Sequence, residues 1–134
     1  MKRFAAAILL LLIVAAPSFA KTHKDTYSVP CNTLWAAVKD TLRNSGKYQI
    51  MSIENSEMSA SYSIGIGAIG QKRINTVLLN ASGDNCEMVV QSGFSGLGNN
   101  DAGDFKKRVD TSLEKLKSSP PPPTPAAKPE DTQK

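Results

Sequence analysis

The chain is poor in the residues that most chemistry needs. It has one histidine in 134 residues, His23, and that residue lies near the start of the chain in a stretch expected to fray. A Ser-His-Asp or Cys-His nucleophilic site needs a buried, oriented imidazole, so His23 is a poor candidate. A zinc site would also run short of ligands. Aromatics are only 6% of the residues, with a single tryptophan, Trp35. Charge of one sign is scarce as well. Lys2 and Arg3 belong to the leader described below, and without them the formal charge of +4 falls to +2. The only basic cluster, Lys106-Lys107-Arg108, points three ways on a helix, so no nucleic-acid face is expected. The acidic residues fall on turns, caps and wet helix faces, where no acid–base carboxylate pair is evident. The reading is therefore non-enzymatic, with no cofactor and no metal.

A long hydrophobic run is also missing. Phe4 to Ala16 is apolar but too short to span a bilayer, which takes about 20 residues. With Lys2-Arg3 before it and Pro17-Ser18-Phe19-Ala20 after it, the run has the three-part layout of a secretory signal peptide. Cleavage after Ala20 is expected, which leaves no stable membrane span and a periplasmic or secreted product. No cysteine follows the run directly, so a lipid anchor is not expected. The chain has only two cysteines, Cys31 and Cys86, and in an oxidising compartment they are expected to pair. The chain-entropy model values such a bridge at about 4 kcal/mol.

Residues 118–134 form a proline-rich tail in which Pro120-Pro121-Pro122-Pro123-Thr124-Pro125 predicts polyproline II followed by disorder. Residues 21–117 are left as a single domain. Tyr27-Ser28-Val29 reads as a short strand and Pro30 stops it. Asn32 or Thr33 is placed to cap a helix whose Leu34, Trp35, Val38 and Leu42 share one side. Trp35 reads as a core anchor. Gly46 supplies the left-handed stop. Four strands follow. Tyr48 to Ile53 is the first. Met58, Ala60, Tyr62 and Ile64 alternate with serines in the second. Arg73 to Ala81 turns through Ser82-Gly83-Asp84-Asn85 into Cys86 to Ser92. A closing helix is capped by Asp101 and carries Phe105, Val109, Leu113 and Leu116 on one stripe, with Asp104 and Arg108 pairing on the wet face. Strands in an unbroken run favour an antiparallel meander. The fold class is therefore α+β: an antiparallel four- to five-stranded meander with two helices on one face, in the order β-α-β-β-β-β-α.

Gly65-Ile66-Gly67-Ala68-Ile69-Gly70 matches the dinucleotide-binding pattern letter for letter. That pattern needs a helix after the glycines, and here another strand follows, so a strand connection is the reading. Ile66 and Ile69 are apolar in a stretch that should be solvated, which marks them as possible partner-contact residues. Asn99, Asn100, Asp101 and Asp104 do not have the spacing of a calcium loop.

Val29-Pro30-Cys31-Asn32-Thr33-Leu34-Trp35-Ala36-Ala37-Val38 is similar to the helix with an early tryptophan that opens domains of the C lipoprotein in the outer-membrane β-barrel assembly machine. The similarity continues through Gly46 and Tyr48-Gln49-Ile50 into a meander and the closing Asp104-Phe105-Lys106-Lys107-Arg108-Val109. The chain more closely resembles a group of small secreted bacterial proteins with the same two cysteines. Those domains bind or scaffold and have no active site. The resemblance thus implies an exported, non-catalytic binding or scaffold domain of the bacterial cell envelope, acting on an unknown envelope protein or polymer. The alternative is a small periplasmic enzyme or ligand-binding protein with an unrecognised cleft, which a deep pocket with convergent polar groups would favour.

Overall fold

The computed structural model describes residues 21–65, 72–93 and 99–119. The leader, the tail beyond Ser119, and Ile66 and Ile69 lie outside the described residues. The element order is β1 (Lys21–Tyr27), α1 (Cys31–Asn44), β2 (Gln49–Glu54), β3 (Ser59–Ile64), β4 (Arg73–Ser82), β5 (Asn85–Ser92) and α2 (Asp101–Ser118). The five strands form one antiparallel sheet in the order β1-β5-β4-β3-β2. Strands β2 to β5 are the expected meander. β1 joins it beside β5, so α1 carries the chain from one edge of the sheet to the other.

Alternation along each strand decides what the helices cover. Ala60, Tyr62 and Ile64 on β3, Val77 and Leu79 on β4, and Cys86, Met88 and Val90 on β5 are buried. Their neighbours Ile74 and Leu78 stay exposed on the opposite face. Both helices pack on the first face. From α1 come Leu34, Trp35, Val38 and Leu42, and from α2 come Phe105, Val109 and Leu113. Tyr48, Tyr62 and Phe105 form an aromatic triad, with Tyr62 and Phe105 stacked at 4.8 Å and Tyr48 edge-on to both. Trp35 anchors the core as expected, and its indole N–H donates to Asn55 Oδ1 at 3.1 Å. Cys31 and Cys86 form the expected disulfide, clipping the start of α1 to β5 with a Cα–Cα distance of 5.0 Å. Gly46 has φ +67 and ends α1, and Gly83 has φ +62 in the two-residue turn between β4 and β5. Among the described residues, no helix is long and apolar enough to cross a membrane.

Several local expectations need correction. The first strand runs Lys21–Tyr27, earlier than Tyr27-Ser28-Val29. His23 does not fray: it sits in this strand opposite Val90. Backbone pairing, which needs no apolar side chains, recruits this polar segment, and Tyr27 then fastens it by donating its hydroxyl to Asp110 Oδ1 at 2.7 Å. α1 begins at Cys31 with Pro30 in the cap position and no side-chain cap, so neither Asn32 nor Thr33 caps it. The cap of α2 is Asn100, whose Oδ1 accepts from the Gly103 amide. A Cβ on Gly103 would come within 2.2 Å of the Asn100 side chain, so that glycine makes room for the cap. Asp101 moves one place into the helix because Arg73 takes its carboxylate. Asp104 pairs with Lys47 at 3.3 Å instead of Arg108, since Lys47 emerges beside it after α1. Leu116 is 39% exposed, because the sheet ends before the last turn of α2.

Candidate functional site

The register aligns three inward-facing polar residues across the three central strands. Tyr62 on β3 lies opposite Asn75 on β4, and Asn75 lies opposite Ser92 on β5. Each sits where the alternation of its strand demands an inward side chain, and each is buried: Tyr62 at 0%, Asn75 at 1% and Ser92 at 4% exposure. Tyr48 joins them through its edge-on contact with Tyr62. Among the described residues, the Tyr48 and Tyr62 hydroxyls, the Ser92 hydroxyl, and both the oxygen and nitrogen of the Asn75 amide have no hydrogen-bond partner. A buried polar group without a partner costs about 1–3 kcal/mol, and folded proteins tolerate few of them. Finding four such side chains in one contiguous patch therefore marks a site that calls for polar groups from outside the chain.

This patch lies at one end of the sheet, beneath the start of α2. Both glycine-rich connections leave the sheet at that end: the first after Ile64 and Gly65, the second after Ser92 and Gly93. The first connects two antiparallel strands, which is not the strand-to-helix layout a dinucleotide site requires. Beside the patch, Arg73 grips Asp101 in a fork, Nε to Oδ2 at 2.7 Å and Nη2 to Oδ1 at 3.1 Å. Asp101 is buried in the first turn of α2, where the helix dipole favours its charge. The hydrogen bond that Arg73 donates to Asp101 raises the pKa of Arg73 further.

Electrostatics keep the patch neutral. Burial raises the Tyr62 phenol well above its ordinary value, with Tyr48 and Asp101 adding to the effect. Tyr48 is pushed up to about 12, chiefly by burial, with Arg108 opposing and Asp104 and Asp101 reinforcing. Both phenols are therefore protonated donors at any physiological pH, and neither serves as a base.

A second polar cluster lies at the β1 edge. Tyr27 and Lys106 both bond the Asp110 carboxylate, at 2.7 Å each, and the Lys106 ammonium sits 5.4 Å from the Tyr27 ring centroid. Burial and the bond to Asp110 raise the Tyr27 pKa. His23 Nε2 approaches Asp25 Oδ2 at 3.3 Å. Tyr27, Lys106 and Asp110 hold β1 against α2, while the buried Asp25 Oδ2 has no hydrogen-bond partner among the described residues. Among the described residues, no group of three histidine, cysteine or carboxylate side chains is placed to hold a metal.

Two open recesses lie among the described residues. One of about 300 Å³ lies between the helices over Thr41 and Ser112. One of about 210 Å³ lies on the open sheet face among Met51, Ser63, Lys72 and Ile74. The Tyr62–Asn75–Ser92 row was not among the sequence expectations, although a signal was present. In strands otherwise read as apolar inside, Asn75 and Ser92 fall on inward positions.

No family model matches the chain, and no curated protein matches it. Among solved structures it is similar to CalU16 from Micromonospora echinospora, at 11% identity over 72% of this chain and 78% of that one, with a TM-score of 0.53. It is also similar to Ara h 8.0201, at 14% identity over 73% and 96% of the two chains and a TM-score of 0.49. A third likeness is to the di-domain ARO/CYC StfQ from the steffimycin biosynthetic pathway, at 8% identity over 72% and 44% and a TM-score of 0.45. At such identities the likeness to CalU16 shows a shared fold, a sheet with helices packed on one face.

Proposed function

We propose that this chain is an exported, non-catalytic domain of the bacterial cell envelope that binds a small ligand between its sheet and its closing helix. The observation that carries this reading is the patch formed by Tyr48, Tyr62, Asn75 and Ser92, buried and without partners. Catalysis is not part of the proposal. The two phenols are held protonated, and Arg73 and Asp101 beside them are committed to each other. Export is supported by the leader-like first twenty residues and by the Cys31–Cys86 bridge, which is typical of oxidising compartments.

The test is native mass spectrometry of the mature protein isolated from an envelope fraction, alongside Tyr62→Phe and Asn75→Leu. A small molecule retained by the parent and lost from both variants is expected. Equal retention by all three, or none by the parent with no thermal shift across a metabolite panel, would overturn the reading. A scaffold role is the second reading. It is favoured by the open outer face, where Ile74 is 51% and Met51 57% exposed, and by the apolar Ile66 and Ile69. Ile66→Ser with Ile69→Ser should then lose a partner from an envelope pull-down, and an unchanged pull-down would end that idea.

A further inference from the structure

The seam between the two helices holds a second polar feature, separate from the buried patch. The Thr41–Ser112 hydrogen bond and the Lys47–Asp104 ion pair show that α1 and α2 run antiparallel. Where the seam opens to solvent, apolar side chains give way. Thr41 and Ser112, both buried, close the floor by a hydroxyl–hydroxyl bond of 2.9 Å. Thr41 donates in that bond, so the hydroxyl hydrogen of Ser112 is still available. Above this floor is the recess of about 300 Å³, and every residue that lines it is polar.

The two walls differ in chemistry. The α2 wall presents Arg108, Thr111, Ser112 and Lys115, spaced by three, one and three residues, which is one continuous helix face. Among the described residues, neither cation in it has an acid within ion-pairing distance, whereas Lys24, Lys47, Arg73 and Lys106 each do. The α1 wall is rich in acceptors. It has Asp40, which accepts from Asn44, then the Asn44 amide, Ser45 and the carbonyl end of the helix. A helix C-terminus disfavours an anion and welcomes hydroxyl donors.

We propose that this groove binds a small polyhydroxylated carboxylate, a sugar acid. The carboxylate lies along α2 between Arg108 and Lys115 and accepts from the Ser112 hydroxyl. The ligand hydroxyls donate toward Asp40 and the end of α1. Charge selects a monoanion: two cations against the one carboxylate of Asp40 leave a single positive charge to balance. The volume lies at the lower limit of ordinary ligand pockets, about 300–1,000 Å³, which suits one or two sugar rings.

The test is an NMR titration of the mature protein with D-glucuronate, D-glucose, acetate and inorganic phosphate at constant ionic strength. Glucuronate should shift the Thr41, Asn44 and Ser112 amides saturably, with a Kd on the order of millimolar. Glucose and acetate should each bind at least about tenfold more weakly, since each lacks half of the recognition. The Arg108→Gln, Lys115→Gln double variant should lose at least about tenfold in affinity with its spectral dispersion intact. Acetate binding as well as glucuronate would reduce the site to a general anion patch. Equal binding of glucose would remove the anion requirement. Tighter binding of phosphate would contradict monoanion selection. No saturable shift would leave no site. Each of these results overturns the proposal.

Discussion

If Asn75 is buried for binding, replacing it should make the protein more stable. Both polar atoms of its amide lack partners at 1% exposure, so the folded state carries an uncompensated desolvation cost of about 1–3 kcal/mol. Asn75→Leu removes that cost with a side chain of similar size. It also adds the transfer gain of a buried leucine, about 1.5–3 kcal/mol, from which an imperfect fit subtracts about 1 kcal/mol. Val77 and Val90 supply apolar neighbours, so the expected net gain is about 1.5–5 kcal/mol. In a domain of this size each kcal/mol moves the melting temperature by about 4–8 °C. Urea unfolding and calorimetry of the oxidised protein would measure the change. Tyr62→Phe and Ser92→Ala should each be neutral or stabilising on their own. Because the three residues are ladder neighbours, their effects should not add. A loss of more than about 1 kcal/mol for Asn75→Leu would refute the reasoning, because internal waters would then be satisfying the amide in the native state.

Three further outcomes follow from the same structure. Phe105 is fully buried and stacked on Tyr62, so Phe105→Ala should cost about 3–5 kcal/mol by urea denaturation, and a loss under about 1 kcal/mol would mean α2 does not dock on the sheet. The oxidised chain should weigh two hydrogens less than the reduced one, and Cys31→Ser with Cys86→Ser should cost up to about 4 kcal/mol, since the bridge joins residues 55 apart in sequence. Alkaline unfolding should be steep. Tyr48 titrates near 12 when folded and near its ordinary 10 when unfolded, and Tyr62 is raised too. Their contribution is intact below pH 10. It falls as pH rises toward 12, by up to about 1.4 kcal/mol per pH unit for each tyrosine, because the unfolded chain releases those protons first. Phenolate absorbance should therefore appear together with loss of circular dichroism, and a phenolate signal from a fully folded protein near pH 10 for all three tyrosines would contradict the burial described.

The architecture was legible because its drivers are periodic. Leu34, Trp35, Val38 and Leu42 recur at helical spacing, and Ala60, Tyr62 and Ile64 recur at strand spacing. Burial follows both patterns. Two cysteines leave one intramolecular pairing, and element ends suit it. The errors occur where non-local partners outweigh a local rule. Asp101 is a good cap residue by type, yet a guanidinium 28 residues away holds it inside the helix while Asn100 caps. His23 and Asp25 look like a polar N-terminal overhang, but β5 has a free edge whose backbone groups need partners, and any side chain can ride on that pairing.

The candidate site was hidden for a related reason. Asn75 and Ser92 interrupt an inward apolar pattern, and a single strand read alone treats such a residue as a loosening of the pattern near a strand end. Only the register shows that the interruptions fall side by side, with Tyr62 completing the row. Chance interruptions in separate strands would tend to scatter along the sheet, and each would be selected against by its own desolvation cost. Three aligned interruptions, with a fourth hydroxyl from Tyr48 brought in by ring contact, put polar atoms with no partner among the described residues on neighbouring strands. One bound molecule reaching them together would separate a binding site from independent packing defects. The distinction is measurable: ladder neighbours couple in either case, but members of one site would lose a bound ligand together, whereas defects would have none to lose.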